Sequence, residues 1–197
     1  MTFDVLGLGE SIKEFTPKGN ITIGVNDVAK HFSTDYLVVV DKPEKFTKER
    51  LQTIVDHRCT MYTHLKEWLP YRKVKIIELS FGRGNLNDIE TERFCYSNNS
   101  TFVAVVLAYK LGATKINIFG ADFNNHPNLD TKTVLIDFKK LFDYLKSKGI
   151  TINVTKSSAL NQIVWKFGNG IMNFPLYPNF LHLSIITSDQ FHARIIK

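Results

Sequence analysis

Short apolar runs that stop abruptly on a glycine, asparagine or aspartate recur along the chain, and no other feature limits its possible folds as strongly. Residues 3–6 run into Gly7-Leu8-Gly9, residues 21–25 into Asn26-Asp27, residues 36–40 into Asp41, and residues 115–119 into Gly120-Ala121-Asp122. A brief, mainly apolar run bounded by turn residues is how a strand buried on both faces reads in sequence. A polar or glycine stop at each end then supplies a row of turns in which side chains can meet a ligand.

Helical segments lie between the runs. After Pro43, residues 44–56 have helical composition with Phe46, Leu51, Ile54 and Val55 as apolar positions, and strands are expected near 59–62 and over 73–79. Residues 81–92, rich in Gly and Asn, read as a loop that could serve as a mobile lid. Asn99 or Ser100 can cap a helix whose residues 102–109 are apolar on every side, so that helix is expected to be buried, with Gly112 closing it. From Val134, the positions Phe138, Leu141, Phe142 and Leu145 share one helical face that ends at Gly149. A strand over 150–154 and a short helix starting near Ser157 follow.

Strands alternating with helices argue for one α/β domain over residues 1–163, a doubly wound, mostly parallel, Rossmann-like sheet with right-handed crossovers. Residues 164–197 break the pattern, with Phe167, Phe174, Tyr177, Phe180 and Phe191 among Gly, Pro and Asn. They are expected to pack on the domain or to mediate association, which makes an oligomer possible. In a sheet of this kind the ligand sits beyond the carboxyl ends of the strands, at a topological switch point.

Bulk composition narrows the class of protein further. With 44% hydrophobic and 22% charged residues among 197, the chain can bury a core and is not of disordered type. No run approaches the roughly 20 apolar residues of a membrane span, and no basic segment leads into an apolar signal core, so a cytoplasmic protein is expected. Cys59 and Cys95 are too few and too far apart for a zinc or disulfide framework and read as reduced. A formal charge of +6 favours an anionic partner, whether nucleotide, acidic glycan or nucleic acid.

Candidate chemistry concentrates at the strand ends. Gly7, Gly9 and Ser11 form a strand-turn-helix element in which small residues let the backbone approach a phosphate, with a simple tight turn as the alternative. GxGxxG is incomplete, because position 12 is Ile12. Asn26 can donate to and accept from a base or ribose while staying neutral beside phosphate. Asp41 could bind ribose hydroxyls or a metal, or cap a loop before Pro43. Residues 96–101 place a polar cluster just ahead of the buried helix, where Asn99 and Ser100 could hold a phosphate with the first N–H groups. His126, in the loop after Asp122, suits general base work near neutral pH. Asp122 and His126 are therefore the catalytic candidates. No DxD, P-loop lysine motif, Gx-Ser-xG elbow or HExxH is present, so no metal ligands are assigned.

The order of these motifs, GLGES after the first strand, GVND after the second, a third strand ending in Asp, SNNST opening an apolar helix, then LGATKINIFGADF, resembles the bacterial sialyltransferase-like superfamily. That group includes small α-2,3-sialyltransferases, motility-accessory-factor glycosyltransferases and 6-hydroxymethylpterin pyrophosphokinase-like proteins. The resemblance covers residues 3 to about 163. It implies that Gly9, Ser11, Asn26 and Ser100 contact a nucleotide donor and that His126 acts as base, although Leu8 and Glu10 stand where the family loop has Asn and Pro. The function it implies is metal-independent transfer of a sugar from a CMP- or UDP-linked donor, with no tightly bound cofactor, to an acceptor hydroxyl on a glycan or a modified nucleic acid. Two alternatives are an ATP-dependent pyrophosphokinase using Mg²⁺ on Asp41 and Asp122, and a non-catalytic nucleotide-binding module.

Overall fold

The computed structural model describes residues 1–123 and 130–164. His126 and the extension beyond Val164 lie outside the described residues.

Seven strands form one sheet in the order β5-β4-β3-β2-β1-β6-β7, where β1 is Thr2–Leu6, β2 Ile21–Val25, β3 Tyr36–Val38, β4 Thr60–Thr63, β5 Val74–Ile76, β6 Lys115–Phe119 and β7 Thr151–Val154. Every pairing is parallel, so the sheet goes beyond the mostly parallel one expected. From β1 the chain winds outward to β5, then returns to add β6 on the other side of β1. Between β1 and β6 the connections depart in opposite directions, which defines the switch point.

Both faces of the sheet are covered, as a parallel sheet requires. On one face Phe3, Val5, Ile23 and Val25 pack against α2 (Ser100–Lys110) and α3 (Thr131–Ser147). The register of side chains then alternates: Leu6, Leu37, Val39 and Met61 point to the other face and meet Ile54 of α1 (Lys48–Asp56) and Trp68. Helix α2 is buried from Ser100 through Ala108, the burial its unbroken apolar run demands. Phe102 and Phe138 hold α2 to α3 edge to face at 5.4 Å. Last, α4 (Asn161–Val164) packs beside β7.

Several boundaries differ from those read in the sequence. Helix α1 is shorter, because Pro43–Lys45 forms a separate 3-10 turn and Thr47 caps the helix proper by accepting from the Arg50 N–H. Helix α3 starts earlier, at Thr131, because Asp130 caps it by accepting from the Lys132 N–H. Strand β5 is only three residues long, and Leu79 instead makes an isolated bridge to Phe94.

The loop expected as a mobile lid is fastened down. Ile89 is buried, and the exposed Glu90 carboxylate receives the hydroxyls of Tyr109 and Tyr144 and lies 2.7 Å from Lys148 Nζ. The lysine hydrogen bond, followed by the two phenols, holds the Glu90 carboxyl down at about 2. A carboxyl whose folded value is depressed stabilises the fold above its ordinary value near 4.5 and loses that contribution as pH falls towards the folded one. Protection of amides in 81–94, with rates corrected for the intrinsic pH dependence of exchange, should therefore fall as pH drops from 4.5 towards 2 in the wild type. In Glu90→Gln protection should be lower already at pH 7 and change little further on acidification, as hydrogen-exchange mass spectrometry can check.

Candidate functional site

The turns after β1 and β6 interlock at the switch point, and glycine is what lets them. The N–H groups of Gly7 and Gly9 donate to the carbonyls of Phe119 and Gly120, each at 2.8 Å. A Cβ on Gly7 would collide with the Gly120 carbonyl oxygen, and one on Gly9 would lie 2.6 Å from Asp122 Oδ2. Asp122 then closes the clasp. Its carboxylate accepts the Ser11 N–H at 2.7 Å and the Ser11 hydroxyl proton, while the same hydroxyl oxygen accepts the Gly120 N–H at 2.9 Å. Ser11 and Asp122 are both buried. The N–H groups of Gly7, Gly9 and Ser11 are thus engaged by residues 119–122, and Gly7, Gly9, Ser11 and Asp122 are brought together as a clasp.

One strand over, the polar groups are still open. Asn26 ends β2 with φ +50, a left-handed conformation that asparagine tolerates better than most residues. Its backbone N–H is held by Val38 O at 3.1 Å. Its side-chain Oδ1 receives the Ser100 hydroxyl at 3.4 Å, across 74 residues of chain. No hydrogen-bond partner of the Asn26 amide nitrogen is found among the described residues. Asn99 is the cap of α2, its Oδ1 taking the Phe102 N–H at 3.1 Å. The N–H groups of Ser100 and Thr101 remain, at the positive end of an 11-residue helix. Thr101 Oγ1 lies 3.3 Å from where a Gly7 Cβ would be, so this open pair and the clasp are continuous.

The other candidates are placed apart from that pair. Asp41, beyond β3, shares no hydrogen bond with it: its carbonyl accepts from Trp68 Nε1 at 2.9 Å and its carboxylate is 3.7 Å from Lys45 Nζ. Asp27 is engaged by both Nε and Nη2 of Arg50, at 3.0 and 2.6 Å, rather than capping the next turn. His57 bridges to the Thr34 hydroxyl at 2.8 Å and is structural; burial, with Arg72 nearby, pushes its pKa down. Among the described residues no cluster of His, Cys, Asp and Glu is arranged to hold a metal ion.

Sequence reasoning reads His64 as a surface or core residue and does not single out Arg83. His64 follows β4 at the same rim, half-buried, with Nδ1 enclosed and unpartnered among the described residues and its pKa lowered first by burial. The strand-end rule would have singled it out had β4 been taken to Thr63. Arg83 lies in a Gly-rich loop with no periodicity, where nothing in the sequence marks it. A groove of about 530 Å³, lined by Tyr62, Phe94, Leu107 and Lys110 among others, is a separate feature. It sits at the far end of α2, roughly 16 Å from Ser100 by helical rise.

A seven-stranded parallel sheet with this strand order, flanked by helices, is an α/β fold of sialyltransferase type. The particular likenesses are to CstII, a sialyltransferase of Campylobacter jejuni. Its complex with CMP and a trisaccharide acceptor superposes with a TM-score of 0.53 at 14% identity, over 89% of each chain. A point variant of the α-2,3/8-sialyltransferase CstII gives 0.50 at 13% identity, over 83% of this chain and 85% of that one. No family model matches the chain, and no curated protein matches it. Likeness at this identity shows the fold. No helix among the described residues is long and apolar enough to cross a membrane.

Proposed function

We propose that the protein is a nucleotide-sugar-dependent glycosyltransferase that moves a sugar from a CMP- or UDP-linked donor to an acceptor hydroxyl without a metal ion. One observation carries the reading: Asn26 is held in a left-handed turn at the end of β2 with its side chain against Ser100 at the amino end of α2. The unpaired amide hydrogens can donate to a nucleotide, and the first N–H groups of α2 can receive its phosphate. Positive charge there would stabilise the phosphate that leaves as the glycosidic bond breaks. CstII, the neighbour in fold, is known with CMP and a trisaccharide acceptor bound.

The donor is a substrate rather than a resident cofactor, and the acceptor is a glycan hydroxyl or one on a modified nucleic acid. His126 is proposed as the base that takes the acceptor's proton. Metal independence is part of the proposal. A pyrophosphokinase is the poorer fit, since Asp122 already gives both oxygens to Ser11 and has little to offer Mg²⁺.

A panel of CMP, UDP, GDP and ATP, each with Mg²⁺ and with EDTA, separates the readings by thermal shift. A ligand at 100 times its Kd adds about 2.7 kcal/mol, or roughly 5–10 °C for a chain of this size. CMP or UDP should give such a shift in EDTA. A shift confined to ATP with Mg²⁺ would favour the kinase.

A further inference from the structure

Arg83 is held as if for a ligand. Its Nε donates to Asp137 Oδ2 at 2.8 Å, and the Ser97 hydroxyl donates to that same oxygen at 2.8 Å. The other oxygen, Oδ1, is closed off by Gly84, whose φ of +65 and lack of a Cβ let the loop backbone lie directly on the carboxylate. The Gly84 N–H is tied to Tyr96 O at 2.8 Å, which fixes the loop to the segment leading into α2. Asp137 is 3% exposed, so this is a buried anchor rather than a surface ion pair. A guanidinium normally engages a lone carboxylate through two donors. Here only Nε is used, and among the described residues neither Nη has a partner.

The orientation of the unused edge can be bounded. Thr133 first, then the Lys132 N–H and the nearby Arg83 charge, hold the Asp130 carboxyl, the cap of α3, below its ordinary value against burial, which pushes it up. Asp137, which holds the guanidinium, is in the second turn of a helix that starts at Thr131, so Arg83 is anchored near the start of α3, on the rim where β6 ends. Ser97, on the same carboxylate oxygen, is three residues before Ser100, a span of at most about 10 Å. A side chain that is 31% exposed thus stands at the same rim as Asn26 and Ser100, with both Nη groups unpartnered among the described residues and its stem fixed. Asp130 is a competing negative charge, but its own oxygens are taken by Thr133 and the Lys132 N–H.

We propose that Arg83 is a specificity residue that receives an anionic group, a carboxylate or a phosphate monoester, on the saccharide part of the ligand. This rests on the transferase reading for its context, though the recognition chemistry stands on Arg83 itself. Such a group can belong to the donor sugar or to the acceptor. Lysine could restore the charge but not the fork.

Calorimetric binding of matched pairs decides it, using wild type, Arg83→Gln and Arg83→Lys. The pairs are N-acetylneuraminic acid against its methyl ester, and glucose 6-phosphate against glucose, each titrated with and without saturating CMP and CMP-sugar. Wild type should prefer the charged member of at least one pair by tenfold or more. Arg83→Gln should reduce the preference to within about twofold while CMP affinity stays within twofold of wild type, and Arg83→Lys should fall between. Binding that persists beside the CMP-sugar assigns the anion to the acceptor; binding that it displaces assigns the anion to the donor. A preference surviving in Arg83→Gln, or none in wild type, overturns the inference. Failure of the transferase reading looks different: neither CMP nor UDP, titrated in parallel, binds the wild type, whatever happens to the charged pairs.

Discussion

Asp122→Ala is expected to lower the stability of the protein by about 3 kcal/mol, because it strands the buried N–H and hydroxyl of Ser11 without acceptors. In a chain of this length that is roughly 6–12 °C in Tm. Asp122→Asn should cost less, since its amide oxygen can still accept the Ser11 N–H and its nitrogen can donate to the Ser11 oxygen, leaving only the Ser11 hydroxyl proton without its acceptor. Donor turnover then separates the two roles open to this carboxylate. If it serves the clasp, Asp122→Asn turns over within a few-fold of wild type. Loss of a hundredfold or more with Tm intact would instead make Asp122 a proton-transferring group.

Asn26 is expected to give the larger effect on binding. Asn26→Ala removes the amide and also places alanine at φ +50, at a backbone cost on the order of 1 kcal/mol. Asn26→Gly removes the same amide at a position glycine adopts freely, so it should hold or slightly raise stability. Both variants should bind nucleotide tenfold or more weakly than wild type. Agreement between them would show that the side chain, and not strain in the turn, carries the affinity.

Strand ends were the legible part of this protein. Short apolar runs stopping at Gly7, Asn26, Asp41 and Gly120 located the rim, and the all-round apolar surface of residues 102–109 marked α2 as the buried helix. Parallel sheets are buried on both faces, which is why the pattern is loud. What no local pattern could reveal is which turn lies against which. The pairing of β1 with β6 turns Gly7, Gly9 and Ser11 into a clasp with Gly120 and Asp122, and that register joins positions 111 residues apart. The same glycines would read identically beside a phosphate. Arg83 was invisible for a related reason: its function depends on Asp137 and Ser97, which only the folded loop assembles around one carboxylate oxygen. The fastening of that loop through Glu90 was equally hidden, since Tyr109, Tyr144 and Lys148 come from two different helical regions.

The most direct test is a calorimetric titration of CMP, with UDP in parallel, into wild type and Asn26→Gly in EDTA. One of the two nucleotides should bind wild type at a single site and bind the glycine variant at least tenfold more weakly, with both proteins equally folded. Equal affinity in the two proteins would contradict the account, because the ligand would then be gripped somewhere other than the turn where β2 meets α2.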